Sequence, residues 1–324
     1  IGKPLINRAS QSFYPPGSTF KLMDALIAQE EGVLSSSTMY PCHMGFPLNH
    51  GMPGCHAHGS PLALDAAISS SCNSYFSYVF KSILDNKKYR NTQEAFEVWR
   101  KYILSFGAGI KVGTDLPFDA RGSLPTTEHY NGIFGKRWHT MNVISLGIGQ
   151  GELGLTPLQM CNVVCSIANR GYFYAPHVIR KTGNENPLEK WRLKHYTLVT
   201  KRESYENVIS GMAKVFTDGT ARASAVPGIE MCGKTGTAQN PHGDNHSVFV
   251  CFAPRNNPKI CVAVLVENAG QGAWWGAPIA SLMIEQYLNG KISGDARLKI
   301  QKLMEESDLI HLDPNIKRTN PAYW

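Results

Sequence analysis

"IEMCGKTGTAQNPHGDNHSVFVCFAPRNNPKICVAVLVENA", residues 229–269, reads as three consecutive strands. β-Branched, aromatic and small apolar residues crowd "HSVFVCFAP" and "KICVAVLVENA", and Asn/Pro-rich segments separate the runs as turns. Upstream of residue 229 the apolar spacing is helical. "STFKLMDALIAQEEG" follows a Pro-Pro-Gly turn, with Ser18 near its N-cap and Gly32 closing it. "LALDAAISSSCNSYFSYVFKSIL" is helical with a break at "SSSCNS", and "TQEAFEVWRKYILSFG", "TPLQMCNVVCSIANRG" and "YENVISGMAKVFT" each predict a further helix. "TDLPFDARGSLPTTEHYNGIFGKRW" reads as turns, and "APIASLMIEQYL" predicts an amphipathic helix before a polar tail. Helices first, then adjacent strands and a last helix, argue for an α+β fold with an antiparallel sheet flanked by helices.

Composition narrows the function classes. The 324 residues are 43% hydrophobic and 18% charged, enough to bury a sizeable core. The net charge is +7, yet no Lys/Arg block is long enough for a nucleic-acid tract; "NKKYR" and "IKR" read as solvated surface. A mild basic balance suits an acidic or membrane-proximal partner. No run approaches the roughly 18 to 20 apolar residues of a membrane span. The chain begins at Ile1 rather than Met, which reads as a fragment.

Three short motifs carry chemistry. Ser18 and Lys21 stand at i and i+3, so their side chains share a helix face. A serine hydroxyl needs a base to become a nucleophile, and a lysine becomes that base when burial or nearby positive charge lowers its pKa. Alone, the pair reads first as a capping serine beside a surface lysine. Ser71 and Asn73, in the break between two helical stretches, can point into the same cleft: the hydroxyl to relay a proton, the amide to fix the lysine. Lys234, Thr235, Gly236 and Thr237 open the first strand, supplying a cation, two hydroxyls and a position free of a side chain where a ligand would lie. A strand edge there can pair with an extended peptide, and the N–H groups of Ser18 and Thr237 can together form an oxyanion hole.

Ser-x-x-Lys, Ser-x-Asn and Lys-Thr-Gly, in this order, are the motif set of penicillin-binding proteins and serine β-lactamases. Beyond them, "PLINRASQSFYPPGSTFK", "GTDLP", "GIGQGELGLTPLQM", "IANRGYFYAPHVIRK" and "FVCFAPRNNPKICVAVLVEN" resemble the transpeptidase domain of class B penicillin-binding proteins over nearly the whole chain. "SSCNSYFSYVF" and "TPLQM" are most similar to the elongation type, penicillin-binding protein 2, in its Bacteroidetes-like form. The resemblance implies a transpeptidase domain over 1–293 with a tail at 294–324, and a sheet lacking the N-terminal strands that complete it in the family. It implies Ser18 as nucleophile, Lys21 as base, Ser71 and Asn73 in proton relay, and Lys234, Thr235 and Thr237 holding a substrate carboxylate. It implies peptidoglycan stem peptides as substrates, β-lactams as inhibitors and a rod-complex glycosyltransferase as partner. An N-terminal anchor outside this sequence would hold the domain at the periplasmic face of the inner membrane. The alternatives are the division-type penicillin-binding protein 3, a serine β-lactamase and a penicillin-binding sensor. No Glu-x-x-Leu-Asn run, the setting of the class A β-lactamase glutamate, falls between the Ser-x-Asn and Lys-Thr-Gly motifs; "EQYLN" at 285–289 has the letters but comes after both.

Between the first two motifs lies a Gly/Pro/His/Cys-rich stretch that, as a long loop, needs a reason to be ordered. Cys55 and His58 in "CHAH" can serve one metal, and Cys42, Cys55, His58 and Cys72 make a Cys3His set for tetrahedral Zn²⁺, with His56 as a substitute for His58. Elongation-type relatives carry metal sites in this region with more carboxylate ligands. A Cys42–Cys55 disulfide and free buried thiols remain the other readings. Cys161, Cys165, Cys251 and Cys261 read as core, Cys232 as packing beneath the Lys-Thr-Gly strand, and Trp274–Trp275 as either a substrate ledge or a packing corner.

Overall fold

The computed structural model describes residues 4–181, 183 and 189–310. In chain order the helices are α1 (Arg8–Gln11), α2 (Lys21–Glu30), α3 (Leu64–Ser69), α4 (Asn73–Leu84), α5 (Thr92–Ser105), α6 (Thr127–Phe134), α7 (Pro157–Ala168), α8 (Arg202–Thr217), α9 (Gly276–Asn289) and α10 (Asp295–Glu306). The strands are β1 (Tyr172–Phe173), β2 (His195–Tyr196), β3 (Cys232–Ala238), β4 (His246–Ala253) and β5 (Ile260–Val266). β1 and β2 form a small hairpin, and β3-β4-β5 form an antiparallel sheet with Thr237 opposite Ser247 and Cys251 opposite Val262. No described helix is long and apolar enough to cross a membrane.

β4 is buried along nearly its whole length because helices cover both of its faces. On one side, Val250 lines a small gap together with Met160, Val163 and Val164 of α7. Phe249, pointing the other way, packs against Phe216 of α8 and the start of α9. The three runs of residues 229–269 therefore form the predicted strands. The sheet ends at β5, whose outer edge has no partner strand among the described residues. That open flank also explains a difference in the cysteines. Cys232 and Cys251 are fully buried, but Cys161, Cys165 and Cys261, where α7 meets β5, are partly exposed rather than core.

α2 runs through the middle of the molecule, with every residue from Lys21 to Gln29 buried. It does not start at a serine cap. Ser18 lies in a 3-10 turn, Gly17–Thr19, and Phe20 precedes the α-helix. The Thr19 hydroxyl donates to Pro16 O (2.7 Å), and Gly17 has φ +54°, so the chain turns too tightly there for regular α geometry. Two further differences are helices read as turn or tail. α6 is capped by Thr126, whose side chain accepts from His129 N. α10 is docked by Arg297, which donates to Glu285 Oε2 of α9 (2.7 Å) and to Ser281 Oγ (2.9 Å) in a buried pair. Residues 311–324 of the tail lie outside the described residues. Trp275 is buried at the head of α9, a packing corner.

Asp24, one turn below Lys21, is fully buried and accepts from Trp99 Nε1 (2.8 Å) through one oxygen, while its second oxygen has no partner. Burial raises its pKa well above the carboxylate range, with the Trp99 bond opposing. A raised folded-state pKa contributes stability that is full below the unfolded value near 3.8 and is lost as pH rises. Asp24→Asn keeps the acceptor for Trp99 and cannot ionise. Its melting temperature is expected to match the parent near pH 4 and exceed it at pH 7; equal melting temperatures at both pH values would contradict a neutral Asp24.

Candidate active site

The three sequence motifs arrive from three separate elements: the turn before α2, the junction of α3 and α4, and β3. Ser18, Ser71, Asn73, Thr235, Gly236 and Thr237 line one cleft of about 480 Å³. Lys21 and Lys234 lie beneath its floor, both fully buried.

The Lys21 ammonium donates to Ser71 O (2.8 Å) and Asn73 Oδ1 (2.6 Å). Burial lowers its pKa to about 8, opposed by the neighbouring thiols of Cys72 and Cys55. An amine in that range exchanges a proton near neutral pH, which an exposed lysine does not. Lys234 Nζ donates to Thr235 O (3.2 Å), and burial, then the charge of Lys21, holds its pKa well below normal. Two buried lysines side by side favour fewer than two protons between them.

Ser71 has φ +60°, a left-handed conformation that costs a non-glycine residue about 1 kcal/mol or more. The kink turns its carbonyl toward Lys21 while its side chain lines the cleft. Asn73, the first residue of α4, is held from behind: its Nδ2 donates to Gly54 O (2.7 Å) and its backbone N to Cys55 Sγ (3.3 Å). The Cys/His stretch is therefore part of the wall that orients Asn73.

On the far side, Gly17 packs directly on Thr237. A Cβ at position 17 would stand 2.7 Å from Thr237 O and 3.2 Å from Thr237 N, so the Ser18 turn and the strand meet backbone to backbone. Gly236 lines the cleft as expected, but its absent side chain makes room for Pro16 and Thr19, each 3.1 Å from an ideal Cβ, rather than for a ligand alone. The Thr235 hydroxyl bonds that of Thr220 (2.8 Å).

Thr220, Gln150, Asn245 and Gln271 also line the cleft and were not singled out from sequence, and His56, read there only as a substitute for His58 at a metal, lines it too. Gln150 falls in "GIGQG", where two glycines flank one polar residue, and that was the available signal. Neither Trp274 nor Trp275 borders the cleft. The four metal-ligand candidates Cys42, Cys55, His58 and Cys72 do converge, their ligand atoms all within 4.8 Å of one another. All eight cysteines are free thiols.

A family model described as the penicillin-binding protein transpeptidase domain matches residues 1–285. The chain belongs to that family. A peptidoglycan D,D-transpeptidase MrdA from Acinetobacter baumannii is 30% identical over 302 residues, covering 84% of this chain and 42% of the relative. The chain thus spans less than half of that relative's length. Among solved structures, penicillin-binding protein 2 of Pseudomonas aeruginosa in complex with WCK 5153 matches with a TM-score of 0.76 at 28% identity, covering 90% of this chain and 63% of that one. Penicillin-binding protein A from M. tuberculosis, a ceftriaxone acyl-enzyme complex, matches with a TM-score of 0.71 at 25% identity, covering 88% and 63%.

For this penicillin-binding fold the strained serine makes a sharp prediction. Ser71→Gly relieves the left-handed strain but removes the hydroxyl, so the melting temperature should hold or rise. Penicillin acylation should fall by about 100-fold or more. Acylation close to the parent rate would show that the hydroxyl is dispensable.

Proposed function

We propose that this chain is the transpeptidase unit of an elongation-type, penicillin-binding protein 2-like enzyme that crosslinks peptidoglycan through a serine acyl-enzyme. The observation that carries the reading is the buried Lys21 amine, fixed between Ser71 O and Asn73 Oδ1 at the floor of the cleft that Ser18 lines. The unit is assigned to residues 1–293, followed by a C-terminal segment, 294–324, whose helix α10 docks on α9 through Arg297 and Glu285.

Ser18 Oγ attacks the carbonyl joining two terminal D-alanines of a stem peptide, and its proton passes to the Lys21 amine. The oxyanion is stabilised by the N–H groups of Ser18 and Thr237. Ser71 relays a proton to the departing D-alanine, and Asn73 holds Lys21 in place. Lys234, Thr235 and Thr237 bind the substrate's terminal carboxylate; arrival of that anion favours the charged form of Lys234, whose proton burial otherwise disfavours. The amine of a second stem peptide then takes the acyl group. β-Lactams acylate Ser18 by the same route. The assembly partner is a glycosyltransferase of the rod machinery, and the working location is the periplasmic face of the inner membrane, reached through an anchor outside this sequence. No cofactor takes part in the chemistry.

Incubation with benzylpenicillin should add one penicilloyl group at Ser18, read by mass spectrometry, and Ser18→Ala should carry none. A persisting adduct in Ser18→Ala would remove Ser18 from its role.

The reading includes a structural Zn²⁺ held by Cys42, Cys55, His58 and Cys72. The donors suit it: three thiols and one imidazole are the set of a closed tetrahedral zinc site. His58 Nδ1 is engaged by Gly59 O (2.6 Å), leaving Nε2 3.4 Å from Cys55 Sγ as the free lone pair. Contact with Cys72 pulls the Cys55 thiol far below its usual range while Cys55 pushes Cys72 up, so one proton is readily shed. The metal would supply rigidity to the wall behind Asn73. Purified protein is expected to hold about one zinc per chain, lost in Cys42→Ala with a lower melting temperature; less than about 0.2 zinc with intact thiols would exclude the site.

A further inference from the structure

We infer that Gln150 determines which acyl donors reach Ser18, by capping the edge acceptor that an extended donor backbone would use. The inference rests on the transpeptidase reading above. β3 is the outer strand of its sheet, so its backbone groups that do not face β4 open toward the cleft. Such an edge recognises an extended peptide through main-chain hydrogen bonds. Thr237 O is one of those acceptors, and it is already taken: Gln150 Nε2 donates to it at 2.9 Å.

The turn that carries Gln150 is built to aim it there. Gly149 (φ +74°) and Gly151 (φ +75°) flank it, both in the left-handed region. Gly17 N donates to Gly149 O (2.9 Å), and a Cβ at Gly149 would stand 2.0 Å from Gly17 O. The Gln150 turn and the nucleophile turn are therefore locked together through their backbones, and neither shifts without the other. Gly17 in turn crowds Thr237 O, since a Cβ there would come within 2.7 Å of it. One flank of the carbonyl is closed by the nucleophile turn and the other is filled by the Gln150 amide.

A donor N–H reaching Thr237 O consequently displaces Gln150. A ligand with an amide N–H at that position makes a new bond for the one it breaks. A ligand lacking one leaves Gln150 in place and gains nothing from the edge. Gln150 thus sets a threshold that favours well-aligned peptide donors and weakens the advantage of any amide-bearing ligand by the strength of one neutral hydrogen bond.

The test compares second-order acylation rate constants for benzylpenicillin, which carries an acylamino N–H, and imipenem, which carries a hydroxyethyl group instead. In Gln150→Ala, and in Gln150→Met with its similar volume, the benzylpenicillin-to-imipenem ratio should rise about two- to tenfold. A merely structural role would lower both constants together. A ratio unchanged or reduced in both variants overturns the inference. Failure of the parent chain to form any Ser18 adduct would sink the transpeptidase reading, and this inference with it; an intact adduct with an unchanged ratio sinks this inference alone.

Discussion

A lysine amine in a water-free floor, held by one backbone carbonyl and one side-chain amide, is the constraint around which the rest of this molecule is arranged. Burying Lys21 without partners would cost several kcal/mol, so the fold must bring hydrogen-bond acceptors to it. Ser71 O and Asn73 Oδ1 meet that need, and they come from a break between two helices more than 45 residues downstream. The break works only if the chain kinks, and the kink puts a serine in a left-handed conformation. Strain at Ser71, burial at Lys21 and the helix start at Asn73 are thus one arrangement seen from three residues. Asp24 extends the pattern a turn deeper. Burial disfavours the charged form of Asp24, just as it disfavours the charged form of Lys21.

The Cys/His stretch takes its meaning from the same constraint. Asn73 can hold Lys21 only if its own amide is oriented, and Gly54 O and Cys55 Sγ supply that orientation. The segment is ordered by the burial of Phe46 against Tyr78, by the backbone bridge between Gly45 and Gly54, and by the convergence of Cys42, Cys55, His58 and Cys72. The physical link from cysteine cluster to buried amine is therefore two hydrogen bonds long.

Much of this was readable before any coordinates. The strands of 229–269, the break at "SSSCNS" and the three motifs rest on local pattern, and local pattern survives into the fold. The failures share one cause, dependence on distant partners. α6 buries only Tyr130, too little for a visible apolar stripe. α10 looked like a solvated tail because the pairing of Arg297 with Glu285 belongs to no local rule. Ser18 was expected to cap a helix, but the tight Gly17 turn against Thr237 sets the geometry there. Gln150 sat in a motif already quoted for its likeness to a family, yet its target, a carbonyl 87 positions away, could not be inferred from spacing.

The cleft wall also differs in kind from its floor. The floor is side chains, two lysines and an asparagine whose states can change with a proton or a ligand. The wall is backbone against backbone: Gly149 on Gly17, and Gly17 on Thr237, each at separations that exclude a Cβ. Backbone contacts of that closeness leave little slack between the turn that carries the Ser18 N–H and the strand that carries the Thr237 N–H. Oxyanion stabilisation depends on such donors being fixed before the charge appears, because donors that must reorganise return less of their energy to the transition state. The glycines at 17 and 149 are what permit this approach. The adaptable groups are then confined to the side chains of the floor and to ones such as Gln150 that can leave without moving the wall.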